Sequence, residues 1–337
     1  MAALQSGLKK ILITGGLGFI GSHVVLNLCQ NYNYDIVVLD KLDSCASLKH
    51  IASVKHRLDC IIGDITDEKL VSNLFREYKF DTVMHFAAQT HVDNSFGNSI
   101  NFTRTNVLGT HNLLEAAKSL YQANILKRFI HVSTDEVYGE TDSTMSEESI
   151  LKPTNPYAAS KAGAEMLVQS YYISFGLPII ITRGNNVYGP HQYPEKMIPK
   201  FINLLSRDKP CCLHGDGSHQ RSFLYVTDVA EAFIILLHSG VIGEIYNIGT
   251  DFEISNKTTA LDLIRLMDKS ENMIEFVADR AFNDRRYNID STKLHQLGWK
   301  PKINWEDGLK LTIDWYLSHQ DYWPNVESIL VPHPEIK

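Results

Sequence analysis

Two adjacent carboxylates, Asp135 and Glu136, precede a Tyr157-x-x-x-Lys161 pair in this chain of 337 residues. Side chains four residues apart on a helix share one face, so the Lys161 ammonium can lower the pKa of the Tyr157 phenol. A tyrosine with a lowered pKa can act as a base near neutral pH during a hydride transfer. That transfer needs only the Tyr–Lys pair. The two carboxylates therefore predict a second reaction in the same turnover, with its own proton donor and acceptor.

A glycine cluster near the start of the chain has the spacing of a dinucleotide-binding loop. Gly15, Gly18 and Gly21 fit G-x-x-G-x-x-G, and the overlapping pattern G-x-G-x-x-G also fits. The cluster follows a short apolar run, opens a helical pattern and is succeeded by Asp40 at the end of the next apolar run. Asp40 would bind the adenosine ribose hydroxyls and repel a 2′-phosphate. NAD is therefore expected rather than NADP, although the positive charge of the neighbouring Lys41 argues in the other direction.

The acid pair directly follows the apolar run 129–132. A solvated loop is the default interpretation of two neighbouring acids. The carboxyl end of a central strand is, however, where open α/β sheets bind ligands, so a functional role is favoured. Three cations, Lys196, Arg221 and Arg280, lie in loop-like stretches. Each alone suggests a surface charge, but together they could hold a diphosphate.

Short apolar runs alternate with helical patterns up to about residue 183. This alternation predicts an α/β fold, a Rossmann-type doubly wound parallel sheet with a smaller, partly interleaved C-terminal substrate lobe. The expected NAD-binding domain comprises residues 8–183 and a return at about 225–250. The expected nucleotide-sugar lobe comprises 184–224 and 251–320. Residues 321–337 are expected to form a tail on the surface.

The composition limits the classes of partner. With 44% hydrophobic and 21% charged residues, the chain is typical of a globular protein. A net charge of -7 argues against nucleic acid or an anionic membrane as a partner. Five cysteines without framework spacing indicate free thiols in a reducing compartment, and the scattered histidines lack ligand spacing, so no metal is expected. No apolar run suits a signal peptide or a membrane span, which predicts a cytoplasmic protein.

Taken together, the motifs resemble the extended short-chain dehydrogenase/reductases over nearly the whole chain. The residues that carry this resemblance are Thr14, Gly15, Gly18, Gly21, Asp64, Ile65, Ala87, Ala88, Tyr157 and Lys161. Within that family, the stretches 133–139 and 188–196 resemble the nucleoside-diphosphate-glucose 4,6-dehydratases. The stretches 91–99, 183–189 and 331–334 look most like the dehydratase domain of plant-type UDP-rhamnose synthases.

The resemblance implies that UDP-glucose is converted to UDP-4-keto-6-deoxyglucose and water, the first step of UDP-rhamnose or deoxysugar synthesis. Tyr157, assisted by Lys161 and Thr134, would take the proton of the 4-hydroxyl as hydride passes to NAD. Glu136 would then remove the proton on carbon 5, and Asp135 would protonate the departing 6-hydroxyl. Hydride returned to carbon 6 would regenerate NAD, so NAD is expected to stay bound.

The resemblance also implies which residues contact the cofactor and the substrate. The implied NAD contacts are Gly15, Gly18, Phe19, Ile20, Gly21, Asp40, Lys41, Asp64, Ile65, Ala87, Ala88, Gln89, Thr105, Tyr157 and Lys161. The implied substrate contacts are His91, Thr134, Asn186, Lys196, His214, Arg221, Asn256 and Arg280. Cys212 and His214 stand where bacterial thymidine-type enzymes usually have Pro and Tyr, which favours uridine.

Several alternatives remain open at this point. The alternative substrate is dTDP-glucose. Epimerases of the same fold have small or hydroxyl residues at the acid pair, and sugar-acid decarboxylases keep only the Glu. A catalytically silent NAD-binding scaffold would be expected to have lost the Tyr, the Lys or an acid. Plant-type relatives continue into an epimerase/reductase domain, so a separate epimerase/reductase is expected downstream, and the family's mode of pairing predicts a homodimer through helices 106–119 and 156–175.

Overall fold

The computed structural model describes residues 7–140, 143–278 and 288–331. The strands are β1 (Lys10–Thr14), β2 (Asp35–Asp40), β3 (Leu58–Ile62), β4 (Thr82–His85), β5 (Arg128–Thr134), β6 (Ile179–Gly184), β7 (Asn186–Tyr188), β8 (Cys211–His214), β9 (Gln220–Tyr225), β10 (Ile245–Ile248), β11 (Glu253–Ser255) and β12 (Ile274–Val277). The helices are α1 (Phe19–Asn31), α2 (Glu68–Tyr78), α3 (Val92–Gly97), α4 (Ser99–Phe102), α5 (Thr110–Gln122), α6 (Pro156–Phe175), α7 (Met197–Leu205), α8 (Val226–Ser239), α9 (Asn256–Leu266), α10 (Thr292–Gln296) and α11 (Trp305–Ser318). A π-helical turn at Thr103–Gly109 leads into α5.

Seven strands form the main sheet, in the order β10-β6-β5-β4-β1-β2-β3. Every neighbouring pair in it is parallel. The expected doubly wound parallel sheet is therefore confirmed. The chain moves from β1 to β2 on one side and returns to β4 on the other, so the strand order reverses beside β1. Open α/β sheets bind ligands outside the carboxyl ends of the strands at such a point.

Both faces of the main sheet are covered because its strands are nearly continuous apolar runs. Successive side chains of a strand point to opposite faces. Accordingly, Ile13 of β1 belongs to a core with Val24 of α1 and Phe233 of α8. Its neighbour Leu12 belongs to a second core with Leu113 of α5. The two layers of helices hold the strand ends, and hence the side chains that follow them, in fixed positions.

Helix α6, which carries the Tyr–Lys pair, has clear local signals at both ends. Asn155 is its N-cap, and its side-chain oxygen accepts a hydrogen bond from the N–H of Ala158 at 2.8 Å. Pro156 occupies the first turn, where a missing N–H is tolerated. Gly176 ends the helix with φ of 70°, a left-handed conformation that favours glycine. The predicted start of this helix near Pro156 is confirmed.

A second lobe is built on two smaller sheets, with strand orders β11-β9-β7 and β12-β8. Its core contains Phe201 of α7, Leu263 of α9 and Ile313 of α11. The tail was expected on the surface, but Trp323 and Leu330 are buried in this core because their apolar side chains pack against it. The domain limits drawn from the sequence stay a prediction.

One stretch within the expected second lobe packs elsewhere. Leu294 and Trp299 belong to the core of the main sheet, with α1 and α8. The reason is that α10 lies against β10, and the Trp299 indole donates to the carbonyl of Asp228 at the start of α8 (2.8 Å). The range 251–320 is therefore shared between the core of the second lobe and one core of the main sheet.

The described ranges lack two features. Within them, no helix is both long enough and apolar enough to span a membrane. Histidine, cysteine, aspartate and glutamate side chains in these ranges form no group of three or more that could hold a metal ion. The five cysteines are free thiols.

Candidate active site

A cleft of about 1340 Å³ opens at the carboxyl ends of β1, β4 and β5. It lies where the strand order of the main sheet reverses. The predicted site residues that line it are Gly15, Gly18, Phe19, Ile20, Gly21, Asp40, Lys41, Asp64, Ile65, Ala87, Ala88, Gln89, His91, Thr105, Thr134, Asp135, Glu136, Tyr157, Lys161, Asn186 and Lys196. The structure thus brings the predicted catalytic residues and the predicted cofactor residues into one cleft.

The loop after β1 needs glycine at two positions, for two different reasons. Gly15 has φ of +71°, and a Cβ there would lie 2.6 Å from the backbone nitrogen of Ala87 after β4. A Cβ on Gly21, in the first turn of α1, would collide with the carbonyl oxygen of Gly15. The loop therefore packs tightly between β4 and α1. This places the N-terminus of α1 at the cleft, where its N–H groups can bind a diphosphate, so the residues present fit a dinucleotide.

Asp40 connects the end of β2 to the glycine loop. Its carboxylate accepts hydrogen bonds from the N–H groups of Leu17 (3.0 Å) and Leu42 (2.8 Å). Burial raises the pKa of Asp40, and the two hydrogen bonds oppose that rise. Lys41 pairs with Asp43 at 3.0 Å, so its charge is balanced within the protein. An acid at the strand end and a neutralised lysine beside it support NAD over NADP.

We expect Gly15→Ala to abolish the retention of NAD, because the added Cβ would push the loop away from Ala87. Gly298→Ala is a matched control, since Gly298 also has a positive φ (+92°) but a Cβ there would meet nothing within 4 Å. Both variants bear the left-handed strain of about 1–2 kcal/mol. NAD released from the denatured proteins can be quantified by chromatography. Full NAD content in Gly15→Ala would show that the loop tolerates a side chain.

The two acids lie in a short 3-10 helix immediately after β5, and polar side chains fix both of them. The Thr134 hydroxyl donates to Oδ1 of Asp135 (3.1 Å) and accepts from the N–H of Glu136 (3.3 Å). Nδ2 of Asn185 donates to Oδ2 of Asp135 at 2.7 Å. Nδ2 of Asn155 donates to Oε2 of Glu136 at 3.0 Å. Adjacent in sequence, the two carboxylates thus have different partners.

Asp135 is suited to carry a proton near neutral pH. Burial, followed by the negative charge of Glu136, raises the pKa of Asp135 to about 7. Hydrogen bonds from Asn185 and Thr134 and the charge of Arg221 oppose this rise. A general acid works best with a pKa near the operating pH. Two carboxyl groups in unlike environments can divide the roles of acid and base between them.

Tyr157 and Lys161 both line the cleft, but the expected lowering of the Tyr157 pKa is wrong. Burial, followed by the negative charge of Glu136, raises that pKa, whereas a hydrogen bond with Thr134 lowers it. The Lys161 ammonium donates instead to the carbonyl of Val132 on β5, and burial lowers its pKa to about 8. Spacing on a helix predicted the shared face, but it could not predict the desolvation of the phenol.

Asn106 connects the cofactor side of the cleft to the helix that carries Tyr157. Its Oδ1 accepts from the N–H of Gln89 (2.8 Å), and its Nδ2 donates to the Gln89 carbonyl (3.0 Å) and to Oγ of Ser160 (2.8 Å). The Ser160 hydroxyl in turn donates to the carbonyl of Tyr157 (2.7 Å). This buried network fixes α6 relative to the end of β4.

The sequence reasoning missed three polar residues of the site: Asn106, Asn155 and Asn185. Asn155 carries a signal, because an asparagine directly before a proline at the start of a helix is typical of an N-cap. The other two carry none, since their partners are distant along the chain. Asn185 lies 50 residues from Asp135.

Four of the predicted substrate residues line the cleft: His91, Thr134, Asn186 and Lys196. Lys196 reaches across it, and its Nζ donates to the carbonyl of Thr90 at 3.1 Å. It is the N-cap of α7, so a cation of the second lobe lies at the cleft. These four residues stay candidates for contacts with a substrate.

Three further substrate candidates are not among the residues that line the cleft. His214 ends β8, Arg221 lies on β9 and Asn256 begins α9, and none of them lines the cleft. Arg221 is nevertheless near enough to Asp135 for its charge to lower the pKa of that carboxyl. Arg280 lies outside the described residues. Substrate contacts by these four residues remain a prediction.

The predicted catalytic and cofactor residues of this cleft lie within a stretch that matches a known protein family. The family model for GDP-mannose 4,6 dehydratase matches residues 12–312. The chain belongs to this family. The match extends from β1 into α11 and therefore includes the glycine loop, the acid pair and the Tyr–Lys pair.

Curated relatives of the family fall into two groups with different nucleotides in their names. The Arabidopsis thaliana trifunctional UDP-glucose 4,6-dehydratase/UDP-4-keto-6-deoxy-D-glucose 3,5-epimerase/UDP-4-keto-L-rhamnose-reductase RHM2 is 55% identical over 97% of this chain. The chain spans about half, 50%, of the length of that relative. The human dTDP-D-glucose 4,6-dehydratase is 51% identical over 97% of this chain and 95% of its own length. The two groups are almost equally similar to the chain.

A solved structure of the same family has the same fold. The dTDP-glucose 4,6-dehydratase DesIV from Streptomyces venezuelae, with NAD and TYD bound, superimposes with a TM-score of 0.89. It is 38% identical, and the match covers 94% of this chain and 99% of DesIV. The expectations of a nucleotide-sugar 4,6-dehydratase family and of NAD as its cofactor are confirmed.

Proposed function

We propose that this chain is a UDP-glucose 4,6-dehydratase, which converts UDP-glucose to UDP-4-keto-6-deoxyglucose and water. The observation that carries the proposal is one cleft that joins Asp135 and Glu136 to Tyr157 beside a dinucleotide loop. An oxidation alone has no use for two further proton-transferring groups. The uridine preference is supported by Cys212 and His214 on β8 and by the similarity to the Arabidopsis relative.

The glycine loop, Asp40 and the N-terminus of α1 would hold NAD, as argued above from their geometry. Bound NAD accepts a hydride from carbon 4 and later returns it to carbon 6. The remaining chemistry consists of proton transfers by side chains of this chain.

Tyr157 is placed to take the proton of the sugar 4-hydroxyl. The negative charges of Glu136 and Asp135 disfavour ionisation of its phenol. A proton on Asp135 removes one of these charges, so the phenolate of Tyr157 forms more easily. Thr134, which contacts Asp135 and also lowers the pKa of Tyr157, connects the two groups. Protonation of Asp135 therefore favours both the oxidation at carbon 4 and the later loss of water.

Glu136 and Asp135 then act on adjacent carbons. A ketone at carbon 4 acidifies the proton on carbon 5, and Glu136, held by the Asn155 donor, takes that proton. Asp135, with a pKa of about 7, gives its proton to the 6-hydroxyl, which leaves as water. Each carboxylate ends the step in the protonation state opposite to the one in which it began. When hydride returns to carbon 6, Glu136 would give its proton back to carbon 5, and Asp135 would regain a proton from solvent before the next turnover.

Incubation with UDP-glucose and dTDP-glucose side by side tests the proposal. We expect a product lighter by one water, without net consumption of NAD, and a kcat/KM for UDP-glucose higher by about tenfold or more, the order of discrimination that one methyl group can give. Mass spectrometry and steady-state kinetics provide both readouts. Preference for dTDP-glucose would overturn the uridine assignment. A product of unchanged mass would instead indicate an epimerase, and absence of any turnover would revive a scaffold function.

A dTDP-glucose 4,6-dehydratase is the second candidate. It is favoured by the human relative, which this chain matches over nearly the whole of its length. Both candidates use the same catalytic groups and differ in the nucleotide, because dTDP has the thymine methyl group and lacks the ribose 2′-hydroxyl of UDP. The side-by-side incubation separates them.

The partners of the chain are proposed on the same basis. A 4-keto-6-deoxy sugar is a substrate for a separate epimerase/reductase, the activities combined in the name of the Arabidopsis relative. A homodimer is supported by exposed apolar side chains on and near α6, among them Leu108, Met166 and Ile173. Light scattering during size-exclusion chromatography would contradict the dimer if it gave the mass of one chain. A cytoplasmic location remains part of the proposal.

A further inference from the structure

Two buried asparagines hold the two catalytic carboxylates in the same way. Asn155 and Asn185 are each 5% exposed. Nδ2 of Asn185 donates to Oδ2 of Asp135, and Nδ2 of Asn155 donates to Oε2 of Glu136. Neither asparagine transfers a proton in the scheme above. Their burial beside the two acids therefore points to a separate contribution.

The backbone fixes the direction in which each amide points. Oδ1 of Asn185 accepts the N–H of Thr250 at 3.1 Å, and Oδ1 of Asn155 accepts the N–H of Ala158 at 2.8 Å. A backbone N–H can only donate, so the amide oxygen must face it and the NH₂ group must face the carboxylate. Each asparagine consequently presents a donor, and never an acceptor, to its acid.

We propose that Asn185 and Asn155 are positioning residues that assign the proton within the carboxylate pair, an inference that rests on the proposed dehydratase function. A carboxyl oxygen that accepts a hydrogen bond from an amide N–H cannot direct its own proton into the same contact. The proton of Asp135 is therefore excluded from Oδ2 and carried on Oδ1, the oxygen next to Thr134 at 3.1 Å. Thr134 lines the cleft, so the acidic proton is held on the side where it is used.

The Thr134 hydroxyl can serve both protonation states of Asp135. A hydroxyl is one donor and also an acceptor, so it donates to the carboxylate and can turn to accept from the carboxylic acid. Once turned, its own proton is available to the Tyr157 oxygen, with which it also interacts. Asn155 has the second role in the proposal. Its amide donor stabilises Glu136 as a carboxylate, which is the form in which Glu136 can act as a base.

The pH dependence of turnover follows from the groups around Asp135. Glu136, the next residue, disfavours the anion of Asp135, whereas Arg221 on β9 favours it. Tyr157 on α6 also faces Asp135, and burial raises the pKa of its phenol. The donor bond from Asn185 lowers the pKa of Asp135, so removal of that bond raises it. Catalysis needs protonated Asp135, and activity therefore falls as the pH rises through its pKa. Without the Asn185 donor, this fall must move to higher pH.

Two substitutions at position 185 test the first half of the proposal. Asn185→Ala removes the donor, while Asn185→Asp keeps an oxygen for the Thr250 N–H but places a second carboxylate beside Asp135. With UDP-glucose, or with dTDP-glucose if that is the better substrate, we expect kcat to fall about tenfold to a hundredfold, as for a misplaced catalytic group. KM should change little. The fall of kcat at high pH should move to higher pH values, farther for Asn185→Asp than for Asn185→Ala.

Asn155→Asp tests the second half, because an aspartate still caps α6 but cannot donate to Glu136. Asn304→Asp is its matched control. Asn304 caps α11 and donates to the Asp307 carboxylate at 2.6 Å, but it is exposed and lies outside the cleft. We expect Asn155→Asp to slow water loss more than oxidation, so that NADH absorbance builds up on the enzyme. Asn304→Asp should turn over like the unaltered protein.

The outcomes separate a positioning role from a merely structural one. A lower kcat with an unmoved high-pH limb in both Asn185 variants, or an unchanged kcat, would overturn the proposal. Circular dichroism and NAD content identify a variant that has not folded, and the other Asn185 variant then decides. If the unaltered protein releases no water from either sugar nucleotide, the proposed function has failed. In that case, carbon-13 NMR of labelled aspartate still reports whether Asn185→Ala raises the pKa of Asp135.

Discussion

Glu136→Gln is expected to stop the enzyme after oxidation, with NADH accumulating on the protein and no water lost from the sugar. An amide cannot take the proton on carbon 5, but it has the same size and keeps an oxygen to accept from Asn155, which donates to Glu136 at 3.0 Å. Tyr157 is untouched, so hydride transfer can proceed. Product formation should fall about 10²–10⁴-fold, the usual contribution of a general base. Stopped-flow absorbance of NADH and mass spectrometry of the sugar follow the two steps separately.

Glu148→Gln provides the control for this experiment. Glu148 is an exposed glutamate in the segment that follows the acid pair, so its substitution removes the same charge at a distance from the reacting atoms. It should leave both NADH formation and water loss unchanged. Normal dehydration by Glu136→Gln would mean that another group takes the carbon 5 proton.

The cofactor half of the cleft could be predicted from the sequence because its signals are local. Gly21 is required by its contact with Gly15 within one strand–loop–helix unit, and Asp40 ends the next strand. The same holds for Tyr157 and Lys161, whose shared face depends only on helical spacing. Where a few consecutive residues determine the geometry, the pattern predicts the position.

The electrostatics of the catalytic groups could not be predicted in this way. Whether Tyr157 is easier or harder to ionise depends on its burial and on the charge of Glu136, which become known only once α6 packs against β5. Likewise, Asn185 reaches Asp135 because β6 pairs with β5, which brings distant parts of the chain together. Tertiary contacts of this kind leave no periodic or local signal.

The residue limits of the second lobe could not be predicted from the sequence, for a related reason. Trp299 follows a short helix in a stretch that the sequence assigned to that lobe, yet it packs in the core of the main sheet. Its indole N–H is satisfied by the carbonyl of Asp228, a partner 71 residues earlier in the chain. An apolar residue beside a short helix is predicted to be buried, but the pattern does not indicate whether it packs in a core of the main sheet or in the core of the second lobe.

Arg183→Met is expected to lower the free energy of unfolding by about 3–5 kcal/mol, the effect of removing one partner of a buried ion pair. Glu165 of α6 and Arg183 of β6 are 0% and 2% exposed. Nε of Arg183 lies 3.2 Å from both carboxylate oxygens of Glu165, and its Nη1 donates to the Tyr138 hydroxyl (2.8 Å) and the Glu147 carbonyl (2.9 Å). Methionine fills similar space without a charge, so Glu165 would be left unpaired in the core. Chemical denaturation followed by circular dichroism measures the loss.

A surface pair and a double variant separate the possible origins of that loss. Lys310→Met breaks the exposed pair of Lys310 with Glu306 (2.8 Å) and should leave the denaturation midpoint unchanged, because exposed ion pairs contribute little. Combining Arg183→Met with Glu165→Leu removes both buried charges, and much of the lost stability should return, since apolar replacements of a buried pair are often neutral. If the double variant is no more stable than Arg183→Met, the loss comes from the Arg183 hydrogen bonds to Tyr138 and Glu147 and not from an unpaired carboxylate.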